Sequence, residues 1–285
     1  LTEKEGLVVT NNTFVVRTIS SIFMLIIFLL MIFSNNFFFL ILTQIILFLT
    51  NWELLRLIEF KKQVKTKIKN SNFLLSRCQI SKYDFILIFL INLTVLFFYF
   101  SYEKLQIICL ILILINFLTL SDKNFVKISS LLYTSSAFIF LNSLSLDSNF
   151  IKFITFIVLF SMTVDVSAYL VGKTIGGPKL LQIVSPNKTL AGFIGGIIIP
   201  LFFCVIFFFK NDYISNIILS SILLSIISQI GDLIESGFKR FCYVKDSSNL
   251  IPGHGGVLDR LDSIFLLIIF ISILKLFDYN FFFIV

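Results

Sequence analysis

The stretch from Gln229 to Asp262, QIGDLIESGFKRFCYVKDSSNLIPGHGGVLDRLD, carries the residues whose types and spacing could do chemistry. It lies between two apolar runs, where a carboxylate facing lipid costs about 2.5–3.5 kcal/mol, so these acids should face a cavity, a partner or an ion. Read as a helix, Gln229, Asp232, Glu235, Ser236 and Lys239 recur at three and four residues and share one face. After the turn-prone Ile251-Pro252-Gly253-His254-Gly255-Gly256 loop, Asp259, Asp262 and Ser263 repeat that spacing at the head of the next apolar run. Two carboxylate-bearing helix ends can then face each other. Such acids suit Mg²⁺, a hard ion usually held by one or two protein carboxylates together with substrate phosphate. Lysines and arginines nearby would neutralise phosphate charge, and the glycines would let main-chain N–H groups approach an anion. The combination suits phosphoryl or nucleotidyl transfer. Ion pairing to Lys239, Arg240 or Arg260 accounts for any single carboxylate, but it requires no glycine loop between acidic helices.

The elements that must position these residues are membrane helices. The chain has 285 residues, 58% hydrophobic and 14% charged, with 37 Phe, and its apolar residues fall in long runs. A soluble domain carries roughly 25% charge, and a span needs about 20 apolar residues. Shorter runs are tolerated in a hairpin or a thinner bilayer, which gives nine candidate runs, near 15–33, 36–50, 84–100, 105–120, 128–143, 151–171, 190–209, 213–232 and 263–283. With the amino terminus inside, 19 of the 23 Lys and Arg fall in the inner segments, the distribution that positive-inside topology requires. The expected fold is therefore all-α, a polytopic transmembrane bundle of about nine spans, N-in and C-out.

Residues 1–150 are expected to form N-terminal spans with a basic cytosolic loop at 51–82, a solvated, lipid-facing amphipathic segment. Residues 151–285 are expected to form the catalytic membrane region with cytosolic polar loops, because glycine and proline concentrate between Asp165 and Asp262. The first run has no small-residue cleavage site and should remain in place. Cys78, Cys109, Cys204 and Cys242 have no CxxC spacing, which argues against a zinc site or a disulfide framework. A net charge of +7 is explained by topogenic lysines and anionic lipid, without nucleic acid.

Ser236, Lys239-Arg240, Lys245-Asp246, Pro252, His254-Gly255-Gly256 and Asp259-Arg260-Leu261-Asp262 resemble the signature of phosphatidate cytidylyltransferases. Asp165 to Tyr169 with Gly172-Lys173, then Ser185-Pro186-Asn187-Lys188-Thr189, are similar to that family's upstream segments, as is the Trp52-Glu53 position. Two departures stand out: Val166 replaces the family's usual Ser or Thr, and Ala191 its usual Glu.

The resemblance implies condensation of CTP with phosphatidate to CDP-diacylglycerol and pyrophosphate, using Mg²⁺ and admitting a second metal ion. It implies Asp232 and Asp259 as metal ligands, with Glu235 and Asp262 as alternates. Lys239, Arg240, His254 and Arg260 are implied for catalysis, His254 by contacting phosphate rather than as a base. Asp165, Lys173, Ser185, Lys188, Thr189, Ser236, Lys245, Asp246, Gly255 and Gly256 are implied for substrate binding. Ser185 or Thr189 could alternatively serve only to cap the seventh span.

The expected partners are CTP, phosphatidate and membrane lipids, with a homodimer admitted. The expected location is the bacterial inner membrane, with the site facing the cytoplasm. Competing expectations are a cytidylyltransferase or kinase acting on another lipid and, in a different class, a membrane transporter. The DGxxAR pattern of CDP-alcohol phosphotransferases is absent.

Overall fold

The computed structural model describes residues 2–66, 80–100, 125–146, 149–182, 184–208 and 214–276. Among these, eight helices and one hairpin follow in the order α1 (Thr2–Phe33), α2 (Asn36–Thr66), α3 (Lys82–Phe100), α4 (Phe125–Leu144), α5 (Phe150–Ile175), β1 (Lys179–Leu181), β2 (Ser185–Thr189), α6 (Leu190–Phe208), α7 (Ile214–Phe241) and α8 (Leu258–Leu276). Stretches of α1 from Phe14, of α2 to Val64, and α4, α5, α6 and α7 are each long and apolar enough to cross a membrane.

The surface is unlike a water-soluble protein's, because many large apolar side chains are exposed on it. Phe14, Ile19, Phe23, Phe33, Phe202 and Phe207 are exposed, whereas Thr43, Thr50, Asn51 and Glu53 are buried. Lipid is the solvent that matches such a surface, and the chain is an integral membrane protein. Some buried hydroxyls are satisfied within their own helices: Thr43 donates to the Leu40 carbonyl at 2.8 Å and Ser225 to that of Ser221 at 2.8 Å.

The chain divides into two compact units, Leu1–Leu131 with Cys242–Arg260, and Leu132–Phe241 with Leu261–Val285. In the first, α2 packs on α3 and α1 lies beside α2. A buried ion pair joins Asp84, near the start of α3, to Lys127, near the start of α4. Ser81 caps α3 by accepting the Asp84 amide at 3.1 Å.

In the second unit, α6 packs between α5 and α7 through small residues, the usual way membrane helices come close. A methyl group on Gly192 would lie 2.6 Å from the Ala168 carbonyl oxygen, and one on Gly195 would lie 2.5 Å from Val171 Cβ. Gln229 donates across the α6–α7 contact to the Phe193 carbonyl at 3.2 Å. Gly231 brings α7 equally close to α8, since a methyl there would sit 2.9 Å from the Asp262 carbonyl oxygen.

Two expectations change. The second run does not end at residue 50: α2 continues to Thr66, with Leu54, Leu55, Leu57, Ile58 and Phe60 buried. The first half of the supposed basic loop 51–82 is thus packed helix, because its apolar residues recur at helical spacing; residues 67–79 lie outside the described residues. The all-α bundle holds, with one short antiparallel hairpin added to it, Lys179 opposite Thr189 and Leu181 opposite Ser185. Gly176 and Gly177 at φ 70° and 96°, followed by Pro178, stop α5 and turn the chain into it. The 105–120 run lies outside the described residues.

Candidate active site

Two clusters of polar side chains, one in each unit, contain most of the expected site residues. In the second unit, α7 runs beyond its apolar part and aligns Asp232, Glu235, Ser236 and Lys239, as the spacing required. Asp232 Oδ2 forms an ion pair with Lys188 Nζ, while its Oδ1 accepts the Ser236 hydroxyl at 3.2 Å. β2 carries Lys188 to this place, so the hairpin positions a compact positive charge beside the acid. One turn further along α7, Lys239 Nζ lies 3.2 Å from Glu235, with both side chains largely buried. Asp262, at the head of α8, lies within electrostatic reach of Asp232 and Lys239.

The remaining expected residues of this unit surround the cluster less closely. Thr189 is buried and caps α6, its Oγ1 accepting the Gly192 amide at 3.1 Å. Arg240 is exposed and donates to the Val184 carbonyl at 3.3 Å, fastening the hairpin to the end of α7. Ser185 is half-buried in β2. Asp165 and Lys173 are exposed on α5, and Lys173 Nζ stands 5.7 Å from the centre of the Tyr169 ring.

In the first unit, Ser247 to Asp259 folds back over the start of α8. Gly253 and Gly255 have φ of 77° and 88°, and Ile251 bridges Gly255 in a tight turn, its amide 2.8 Å from the Gly255 carbonyl oxygen. Only glycine takes these angles readily. Asp259 is buried, and its Oδ2 accepts the Ser247 amide at 2.9 Å, the Ser247 hydroxyl at 3.0 Å and the Gly256 amide at 2.8 Å. The Gly256 N–H, expected to aim at a substrate anion, is therefore held by a protein carboxylate one turn later in the chain. Lys245 and Asp246 are exposed in the bend before this loop.

His254 is half-buried against α1. Ser20 Oγ lies 2.7 Å from its Nδ1 and Ser21 Oγ 3.4 Å from its Nε2. The Arg260 guanidinium holds the same loop, donating twice to the His254 carbonyl at 3.2 and 2.8 Å. Burial, and then the charges of Arg260 and Arg17, lower the His254 pKa below the usual imidazole value. The ring is neutral at pH 7, with one nitrogen donating and the other accepting. Cys242, buried just past α7, has its thiol pushed up to about 12 by burial.

Sequence reasoning did not single out Glu53, Ser247, Ser248, Arg17 or Ser20 as functional. Glu53 carried a signal, since an acid inside an otherwise apolar helix must find partners. It sits with no exposed surface on α2 and accepts four hydrogen bonds from the loop.

The donor set fits Mg²⁺ as it is carried on a nucleotide. Asp232 and Asp262 carry hard carboxylate oxygens, the Asp232 side chain partly exposed. Among the described residues, no three His, Cys, Asp or Glu side chains gather into a cage of their own. An ion held there would complete its shell with phosphate and water, which is the habit of Mg²⁺ rather than of a structural zinc.

The family model described as the cytidylyltransferase family matches residues 15–277. The chain is 37% identical over 178 residues to a phosphatidate cytidylyltransferase of Staphylococcus haemolyticus (strain JCSC1435), covering 59% of this chain and 68% of that protein. It is 35% identical, with the same coverage, to a protein of that name from Staphylococcus saprophyticus. A relative of that name in Staphylococcus epidermidis is 42% identical over 127 residues, covering 44% of this chain and 49% of its own length.

Proposed function

The chain belongs to the cytidylyltransferase family, and from that membership we propose that it is a phosphatidate cytidylyltransferase, joining CTP to phosphatidate to give CDP-diacylglycerol and pyrophosphate. The observation that carries the assignment of its site is the meeting of Asp232, Lys188, Ser236, Lys239 and Asp262 at the polar end of two apolar helices. It supports a place where a water-soluble polyphosphate and a membrane-held phosphate meet.

In this proposal an oxygen of the lipid phosphate attacks the α-phosphorus of CTP. A new P–O bond forms, the bond from that phosphorus to the bridging β-oxygen breaks, and pyrophosphate leaves with the electron pair. The attacking phosphate is already anionic, so His254 is not needed as a base, and its neutral ring supports contact with phosphate only as a hydrogen-bonding group. Lys188 and Lys239 hold and neutralise the triphosphate, and Arg260, Arg240 and Lys173 are further candidates for phosphate contact. Positioning and charge stabilisation of this kind supply most of the catalysis in such transfers.

Asp232 and Asp262 would hold Mg²⁺, with Glu235 and Asp259 as alternates. The ion would supply Lewis-acid stabilisation of charge on the departing pyrophosphate. Asp165, Ser185, Ser236, Lys245, Asp246 and Gly255 are assigned to substrate binding, and Thr189 and Gly256 to its support. We further assign nine spans with the amino terminus inside, chemistry centred on residues 151–285, and an inner-membrane site that opens to the cytoplasm.

The test is product analysis with purified protein in detergent, Mg²⁺, labelled CTP and phosphatidate. Labelled CDP-diacylglycerol and an equal amount of pyrophosphate are expected. Folded protein that forms a CDP-lipid only from another acceptor, or transfers only the γ-phosphate, overturns the substrate assignment.

A further inference from the structure

Glu53 stands on α2, far in sequence from Ser247 to Asp259, with no exposed surface. Its Oε1 accepts the Ser248 hydroxyl at 2.6 Å and the Val257 amide at 3.0 Å. Its Oε2 accepts the Ser247 hydroxyl at 2.9 Å and the Leu258 amide at 2.8 Å. The two amides can only donate and the two hydroxyls can donate, a set that the acceptor lone pairs of a carboxylate match. Glutamine would turn an NH₂ toward two of them; a serine hydroxyl can rotate away, but a backbone N–H cannot.

The arrangement has a second half. Val257 and Leu258 open α8, whose first amides have no partners within the helix, and Glu53 supplies them from another helix. Asp259 takes the Gly256 amide and shares the Ser247 hydroxyl, whose single proton serves one of the two carboxylates at a time. A methyl group on Gly256 would fall within van der Waals contact of Ser247 Oγ and of both Glu53 oxygens, so the glycine is there to admit the carboxylate. The start of α8 is thereby filled by protein anions and is not left for a substrate phosphate.

We propose that Glu53 is a positioning residue for the transfer reaction: it fixes the Ser247–Asp259 loop and the first turn of α8, and thus the direction in which Asp259, Arg260 and His254 are presented. This rests on the cytidylyltransferase reading only for its activity arm.

The experiment compares full-length wild type with Glu53→Gln, Glu53→Asp and Ser248→Ala, in detergent, by two readouts. Hydrogen exchange at the Val257 and Leu258 amides should quicken at least tenfold in Glu53→Gln, with other α8 amides unchanged. With Mg-CTP and phosphatidate, kcat should fall at least 30-fold in Glu53→Gln while both KM values stay within threefold, and Glu53→Asp should recover part of the loss. Unchanged exchange overturns the clamp. Faster exchange with undiminished kcat overturns the positioning role.

If Glu53→Gln does not fold, Ser248→Ala, which removes one donor and keeps the carboxylate, decides: a fall in kcat of threefold or more at constant KM supports the role, and wild-type kcat overturns it. Wild-type protein without phosphatidate turnover would sink the substrate assignment, and the exchange result would still decide the clamp.

Discussion

Replacing Asp232 by Asn separates a metal ligand from a structural ion pair, because the two roles predict losses of different size in different quantities. Asp232 and Lys188 have side chains 23% and 31% exposed. A pair that open to solvent contributes about 0–1 kcal/mol, so Asn should lower the melting temperature by roughly 3 °C at most. The Ser236 hydrogen bond can survive, since the Asn carbonyl accepts as Oδ1 does now. Proximity to Asp262 reduces the cost further, because removing one of two neighbouring negative charges relieves repulsion. Loss of an ion worth about 4 kcal/mol in the transition state would instead lower kcat about 1000-fold, at 1.36 kcal/mol per factor of ten. The assay is a Mg²⁺ titration of CDP-lipid formation at saturating CTP and phosphatidate, beside thermal unfolding in the same detergent. Lys188→Met should keep the Mg²⁺ dependence and raise KM for CTP. If Asp232→Asn and Lys188→Met both retain activity within tenfold of wild type and lose stability equally, the pair is structural and the metal assignment is wrong.

The Asp84–Lys127 pair is buried, so Lys127→Met should destabilise by about 3–5 kcal/mol by stranding a carboxylate, and adding Asp84→Asn should restore most of it in denaturant titrations. Because the folded protein lowers the His254 pKa, the unfolded chain takes up that proton first as pH falls. The associated stability is complete above about pH 6.5 and is lost as pH drops through the folded value; melting temperature should fall more steeply from pH 7 to 5 in wild type than in His254→Gln, and equal slopes would refute this. Cys242, with its thiol raised to about 12, should resist maleimide at pH 8 in a background lacking Cys78, Cys109 and Cys204, and should react fully on unfolding. Rapid labelling of the folded protein would contradict its burial.

Much of the architecture was legible because membrane helices advertise themselves locally. Any run of about 20 apolar residues satisfies its backbone within itself, so the helices from Phe150, Leu190 and Ile214 could be located without knowing their neighbours. The acidic face of α7 was legible for the same reason: Asp232, Glu235, Ser236 and Lys239 lie on one helix, and 3.6-residue periodicity alone aligns them. Thr189 and the glycine turn at Gly253 to Gly256 were likewise local signals.

What the sequence hid depended on partners distant along the chain. Polar residues 51–66 resembled a solvated loop until packing showed Leu54, Leu57 and Phe60 facing inward along a longer α2. The hairpin was hidden because five residues, two of them Pro186 and Asn187, carry no alternating pattern, and its pairing depends on how α5 ends. Lys188 could be read as a phosphate ligand, but its Asp232 partner lies 44 residues away. Glu53 is the extreme case, with partners about 200 residues further on. By itself the sequence determined that the chain is a bundle of apolar helices and which acids share a helix face, since both follow from short-range periodicity and solvent preference. Only the tertiary structure decided which carboxylate meets lysine and which closes a helix, because a buried charge is defined by donors that folding brings to it.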